Sequence, residues 1–199
     1  MGIYIPAALN PEKRQVFPVP GHQETLFAIA TDPEATRNAV DIYYKQEVRD
    51  QGTVGAYRRG LMEGLYHRML NQRLYELTKE SEAPFLYGYS DQGRWLRSKE
   101  FFTLGAGVQD NGFEQGLAAL LTEAARVRQF GFTQAELDRE KKEMLRGMEQ
   151  AFRERVRTAV AEVVNLQANA GVDVVSDGEL GKPGFFNYVR NRLNGLEGL

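Results

Sequence analysis

Residues 53–77 read TVGAYRRGLMEGLYHRMLNQRLYEL, and the spacing of their apolar side chains decides the fold. Val54, Tyr57, Leu61, Leu65, Met69, Leu70, Leu74 and Leu77 recur at intervals of three and four. A helix opening at Thr53 therefore turns one apolar stripe toward a core. Arg58, Arg59, Glu63, Arg68, Arg73 and Glu76 fall on its polar side. Gly60 and Gly64 lie one turn apart and each costs the helix about 1 kcal/mol relative to Ala. Their spacing predicts close approach to a sheet. Pro84 closes this helix.

Outward from it, both flanks read as strands. On the N-terminal side, Thr25–Ala30 and Ala39–Lys45 are short apolar segments separated by the turn signal Thr31-Asp32-Pro33-Glu34. Ile42, Tyr43 and Tyr44 favour a strand in the second segment. On the C-terminal side, Phe85–Tyr89 and Phe101–Val108 predict two more strands, with the polar Ser90–Arg94 between them. Asn111 reads as an N-cap with Glu114 three residues on, and Leu117, Leu120, Leu121 and Ala124 share one helical face before Gly131 stops it. Thr133-Gln134-Ala135-Glu136 is a capping box that opens the next helix. The order strand, strand, helix, strand, strand, helix, helix describes an α+β fold, a mostly antiparallel sheet with helices packed on one face. The last helix meets no stop signal before Gly171. Its length of roughly forty residues far exceeds the usual ten to fourteen. The composition changes from Leu- and Glu-rich to Val- and Ala-rich around Phe152–Arg155, which places a junction there.

At 199 residues there is room for one large domain, or for a domain plus a fragment. A net charge of -2 and a pI near 5.8 offer neither a basic face for nucleic acid nor a polybasic membrane signal. With no cysteine, disulfides, thiolate zinc sites and cysteine nucleophiles are all excluded. The start, MGIYIPAALN, lacks the basic stretch and long apolar run of a secretory signal, and no window reaches the roughly 18 apolar residues of a membrane helix. The cytoplasm is the expected compartment. Pro6, Pro11, Pro18 and Pro20 make residues 1–20 an extended lead-in.

Three stretches carry a family likeness: PVPGHQETLFAIATDPEAT at 18–36, MLNQRLYEL at 69–77 and LLTEAARVRQFGFT at 120–133. Together they resemble the inter-domain lead-in and second domain of bacterial insulinase-family (M16) zinc peptidases, over about residues 10–152. The resemblance implies α+β domains duplicated along a chain. The first carries the zinc site, and the second is a non-catalytic copy that helps to enclose the substrate. It also allows a periplasmic setting. The zinc site of that family needs His-x-x-Glu-His on a helix and a downstream glutamate. This chain has only His22 and His67, neither in that spacing, and both read as structural. No catalytic residue and no metal ligand is assigned, and a scaffold role is what remains.

The C-terminal stretch follows a different pattern. Val160–Ala170 is helical, Gly171 is a C-cap, and Val172–Val175 reads as a buried strand followed by Ser176-Asp177-Gly178-Glu179. The run LQANAGVDVVSDGE at 166–179, with GKP at 181–183 and NYVR at 187–190, is similar to the cobalamin-independent methionine synthase family over about the last 45 residues. By that likeness Glu179 matches the acidic residue that helps to hold the amino-acid substrate, with Asp177, Lys182 and Asn187 nearby. The family transfers a methyl group to a zinc-activated thiol through ligands placed much later on its barrel. One strand–helix unit of an eight-unit TIM barrel cannot supply them.

The expected organisation is therefore a lead-in at 1–20, an M16-like domain at 21–152 and a barrel fragment at 153–199. Three functions follow: a non-catalytic M16 scaffold carrying a truncated C-terminal fusion, a methyltransferase-like fragment binding an amino acid or thiol through Glu179, or a fusion product without selected function. No cofactor is expected, although both likenesses point to zinc enzymes. The expected partner is a second copy, through an open sheet face or the terminal helix, or a separate M16-type domain.

Overall fold

The computed structural model describes residues 17–177. Six elements follow one another: β1 (Asn38–Glu47), α1 (Val54–Leu77), β2 (Tyr87–Leu96), β3 (Lys99–Val108), α2 (Phe113–Phe130) and α3 (Gln134–Asn169). The chain divides into two compact units, Met1–Glu140 and Lys141–Leu199.

The first unit is an antiparallel three-stranded sheet in the order β1-β3-β2 with helices on one face. β1 pairs with β3 from Asn38↔Val108 to Glu47↔Lys99, and β2 pairs with β3 from Tyr87↔Gly107 to Leu96↔Lys99. Alternation then sorts each strand into two faces. On the inner face Leu104, Ala106 and Val108 of β3 meet Leu70 and Leu74 of α1 and Leu120 and Val127 of α2, with Phe85 completing the core.

The helix ends form by local chemistry. At the start of α1 the Thr53 hydroxyl accepts from the Ala56 N–H at 3.0 Å. At the start of α3 the box closes reciprocally: Glu136 N–H donates to Thr133 Oγ1, and Thr133 N–H donates to Glu136 Oε2 at 2.6 Å. Gly131 ends α2 with φ 68°, and Gly171 follows α3 with φ 80°. There the Val172 N–H reaches Gln167 O and the Gly171 N–H reaches Ala168 O, a Schellman arrangement. α3 runs unbroken through Phe152–Arg155.

Six sequence expectations need correction. Thr25–Ala30 is not a strand: Leu26, Phe27 and Ile29 are 65%, 87% and 92% exposed, because no strand among the described residues offers this segment backbone partners or a covering layer. The following turn does form, with Ala35 N–H donating to Asp32 O and Glu34 N–H to Asp32 Oδ1. Ser90–Arg94 is not a loop but the middle of β2. Asp91 and Arg94 are exposed, while Asn71 of α1 grips the buried Ser90 by both N–H (2.6 Å) and C=O (3.0 Å). α1 ends at Leu77, seven residues before Pro84, where the Thr78 N–H and hydroxyl fold back onto Tyr75 O. Asn111 is not an N-cap. It sits in a left-handed turn (φ 63°), a conformation asparagine tolerates, and Gly112 occupies the cap. Gly60 faces open space, so close approach is not its role. That role falls to Gly116 of α2, where a Cβ would lie 2.5 Å from Val108 Cγ1. Finally, Val172–Val175 is exposed coil rather than a buried strand, with Val174 85% exposed. No strand among the described residues lies beside this segment to complete a ladder.

Candidate functional site

Two places on the first unit concentrate side chains with chemical capacity. They are the outer face of the sheet and the polar clusters of the helix layer.

The outer face is floored by glycine. On β3, Gly105 and Gly107 point away from the helices, and side chains from the neighbouring strands fill the space their missing Cβ atoms leave. Tyr87 lies over Gly107, while Tyr89 and Asp41 lie over Gly105. The Tyr89 hydroxyl donates to Asp41 Oδ1 at 2.8 Å. Burial raises the Tyr89 phenol above its ordinary value of 10, and the Asp41 carboxylate adds to the shift. Burial likewise raises Tyr43, again with help from Asp41. Toward the β2–β3 turn, Trp95 stacks on Phe101 at 5.3 Å, and Tyr43 meets both rings edge-on at 5.1 and 6.4 Å. At the opposite end a cavity of about 510 Å³ is lined by Thr36, Asn38, Tyr87, Gly107 and Asp110.

The helix layer carries buried acids, each matched to arginine. Glu100 is buried and holds Arg49 through its side chain (2.7 Å) and its N–H (3.1 Å), while Arg49 also reaches Glu63. Burial pushes the Glu100 carboxyl up, but the Arg49 hydrogen bonds outweigh it, and the group sits below its ordinary value. Beside them a cavity of about 550 Å³ opens near Thr53, Arg59 and Gly60. Deeper in the unit, Arg73 of α1 donates to Glu136 at 2.6 and 2.9 Å, to Glu123 at 3.2 Å and to Gly131 O at 3.1 Å. Its guanidinium also stands over the Phe132 ring. Arg73 holds the Glu136 carboxyl at about 2, although burial opposes the shift and the Thr133 N–H supports it. These acids are occupied as arginine partners, and a carboxylate so engaged is a poor general base.

His67 shares a hydrogen bond with Ser90 Oγ at 2.7 Å and lies against Tyr66 and Phe102. Burial lowers its pKa, so it is a neutral imidazole in the packed layer. His22 is in the exposed lead-in, 2.6 Å from Glu24 O. The two histidines are not brought together, and no group of three or more His, Asp or Glu side chains is placed to hold a metal among the described residues. Nor is any helix among them long and apolar enough to cross a membrane. Of the site residues expected from the sequence, Asp177 is half-buried at the end of the described residues, and Glu179, Lys182 and Asn187 lie outside them.

The outer face was not identified from sequence as a site. A signal existed, because Gly105 and Gly107 fall inside a strand, and glycine in a strand marks a close approach.

Comparison with known proteins gives concordant results. The sequence profile of a family described as the peptidase M16 inactive domain matches residues 7–144. An Arabidopsis thaliana protein named "Zinc protease PQQL-like" is 42% identical over 76 residues, covering 38% of this chain and 8% of that protein. The periplasmic protease PqqL from Escherichia coli superposes with a TM-score of 0.56 at 18% identity, over 73% of this chain and 17% of that one. The structure of the first half of that protease gives the same score and identity, over 74% of this chain and 32% of that one. At that identity the superpositions show a shared fold. The chain spans less than a tenth of the plant relative and about a sixth of the bacterial one.

Proposed function

Because the chain belongs to the peptidase M16 inactive-domain family, we propose that it forms a non-catalytic wall of an M16-type peptidase, pairing with a separate zinc-bearing M16 domain and helping to enclose a peptide. The observation that carries this reading is the fate of its histidines. His22 lies in the lead-in and His67 is tied to Ser90 beside Phe102, so no pair stands one helical turn apart with a glutamate between. What the residues retain is a rigid helix-backed sheet with an aromatic outer face suited to lining a chamber. The unit assigned to this role is 21–152, entered through the lead-in at 1–20, with 153–199 as a C-terminal extension. Methyl transfer through Asp177 and Glu179 forms no part of the proposal, since the strand meant to present them is exposed coil at 172–175.

The test is reconstitution. Alone, with zinc and a fluorogenic peptide, the chain should cleave nothing above buffer. Mixed with a zinc-loaded domain carrying His-x-x-Glu-His, it should give a one-to-one complex by light scattering. Chelator-sensitive cleavage by the chain alone, or stoichiometric zinc in the purified chain, overturns the reading. A stable homodimer that excludes the second domain would replace the pairing with self-association.

A further inference from the structure

Between Phe17 and Arg37 every residue is exposed except Val19, which is half-buried. Val19 sits between two carbonyls tied to the sheet. The Ser98 hydroxyl donates to Phe17 O at 3.2 Å, and Lys45 Nζ donates to Pro20 O at 3.0 Å. Those carbonyls are three residues apart, one turn of a polyproline II helix, a spacing that aims both toward the same surface. The sequence Phe17-Pro18-Val19-Pro20 favours that conformation. Each proline fixes its own φ, and each residue before a proline is driven to extended backbone.

The surface beneath is the aromatic end of the outer face. Lys45 is opposite Phe101 in the ladder, and Phe101 is opposite Gly93. Ser98 lies in the turn between β2 and β3. The two donors thus flank the cluster in which Trp95, Phe101 and Tyr43 contact one another. Lys99, next along β3, is already engaged by Glu47. Flat rings beside hydrogen-bond donors that read carbonyls one turn apart are the chemistry by which extended proline segments are recognised, with little chain entropy left to lose.

We propose that this end of the outer face is a docking site for an extended, proline-containing segment, and that Phe17–Pro20 of the same chain is its resident occupant. The strap fixes the course of the lead-in across the face opposite the helices and closes that part of the sheet to other extended chains. The inference needs no peptidase partner and stands whether or not the wall role above is correct.

Trp95 is the only tryptophan in the chain, so its emission reports on this site alone. In the full chain, Val19→Asp should release the strap and raise acrylamide quenching of Trp95 by about 1.5-fold. A synthetic peptide with the sequence of residues 16–22 should reverse that change. It should bind the Val19→Asp chain about tenfold more tightly than the wild-type chain, whose site is filled. Adding Lys45→Met and Ser98→Ala to Val19→Asp should weaken the peptide by about fivefold. Pro18→Gly with Pro20→Gly, which leaves Val19 in place, should give the same quenching change and guards against misfolding of a single variant. Unchanged quenching in both strap variants overturns the proposal. So does peptide affinity that is equal in wild-type and released chains.

Discussion

On β3, Leu104, Ala106 and Val108 point into the helices, whereas their neighbours Thr103, Gly105 and Gly107 point the other way and are also buried. The two faces reach burial by different means. The inner one is filled by side chains from α1 and α2 that are themselves fully covered, such as Leu70, Leu74 and Leu120. The outer one is a single layer of rings from β1 and β2 on a glycine floor, and Tyr43, Tyr87 and Trp95 among them stay about half exposed. The first arrangement closes around Leu70, Leu74, Leu104 and Leu120, none more than 1% exposed. The second is one layer thick and offers aromatic surface, a tyrosine–aspartate pair and a strap to whatever meets it. Stability should therefore reside in the inner face and recognition in the outer.

The sharpest test of that division is truncation on each side of the sheet. Leu104→Ala should cost about 2–5 kcal/mol, the range for a fully buried leucine whose neighbours cannot collapse into the space. Trp95→Ala removes more atoms but should cost only about 1 kcal/mol, because the ring is half exposed and its stacking on Phe101 is the main loss. Urea unfolding followed by far-ultraviolet dichroism measures both. Equal losses would mean that the outer layer is part of the core.

Glycine replacements sharpen the same contrast at lower amplitude. Gly116→Ala places a methyl group 2.5 Å from Val108 Cγ1, wedged between α2 and β3, and should cost about 1–3 kcal/mol. Gly107→Ala also meets a neighbour, but that neighbour is the half-exposed Tyr87 ring, which can swing outward for under about 1 kcal/mol. Gly147→Ala in α3 meets nothing within 4 Å and should stabilise by about 1 kcal/mol through helix propensity alone. A costly Gly107 variant would show the outer rings to be locked.

The features legible in the sequence were those set by a few adjacent residues. Thr53, Gly131, the Thr133–Glu136 box and Gly171 each act within one helical turn, so their residue types suffice. Strand identity depended on partners that the sequence does not name. Ser90–Arg94 reads as a loop until Asn71, nineteen residues back, is seen to hold both backbone groups of Ser90. Thr25–Ala30 and Val172–Val175 read as strands but have no strand neighbour among the described residues. The missing zinc motif was legible because a catalytic helix needs its ligands at fixed spacing. The outer face was not, because it is assembled from three strands. The Arg73 clamp joins positions 73, 123 and 136, which no local pattern connects.

Acid and alkali should weaken the two layers separately, with the smallest effects of the series. In the helix layer, Arg73 holds Glu136 at about 2 against an ordinary 4.5. The unfolded chain therefore takes up its proton first, and the stability from this pair is full above about pH 5 and drains as pH falls toward 2. With solvent screening at the partly open clamp, the loss should be about 1 kcal/mol. Glu136→Gln should shrink that acid limb and leave the share of Glu100, which Arg49 holds low. On the outer face the sign reverses. The Tyr89 phenol is raised above 10 by burial and by Asp41, so the unfolded chain loses its proton first. That contribution is full below about pH 10 and is lost as pH rises through the folded value. Tyr89→Phe should reduce the alkaline limb, to which the raised Tyr43 also contributes, and leave the acid limb untouched. If either variant alters both limbs, the two layers are coupled, and the division between a stabilising face and a recognition face fails.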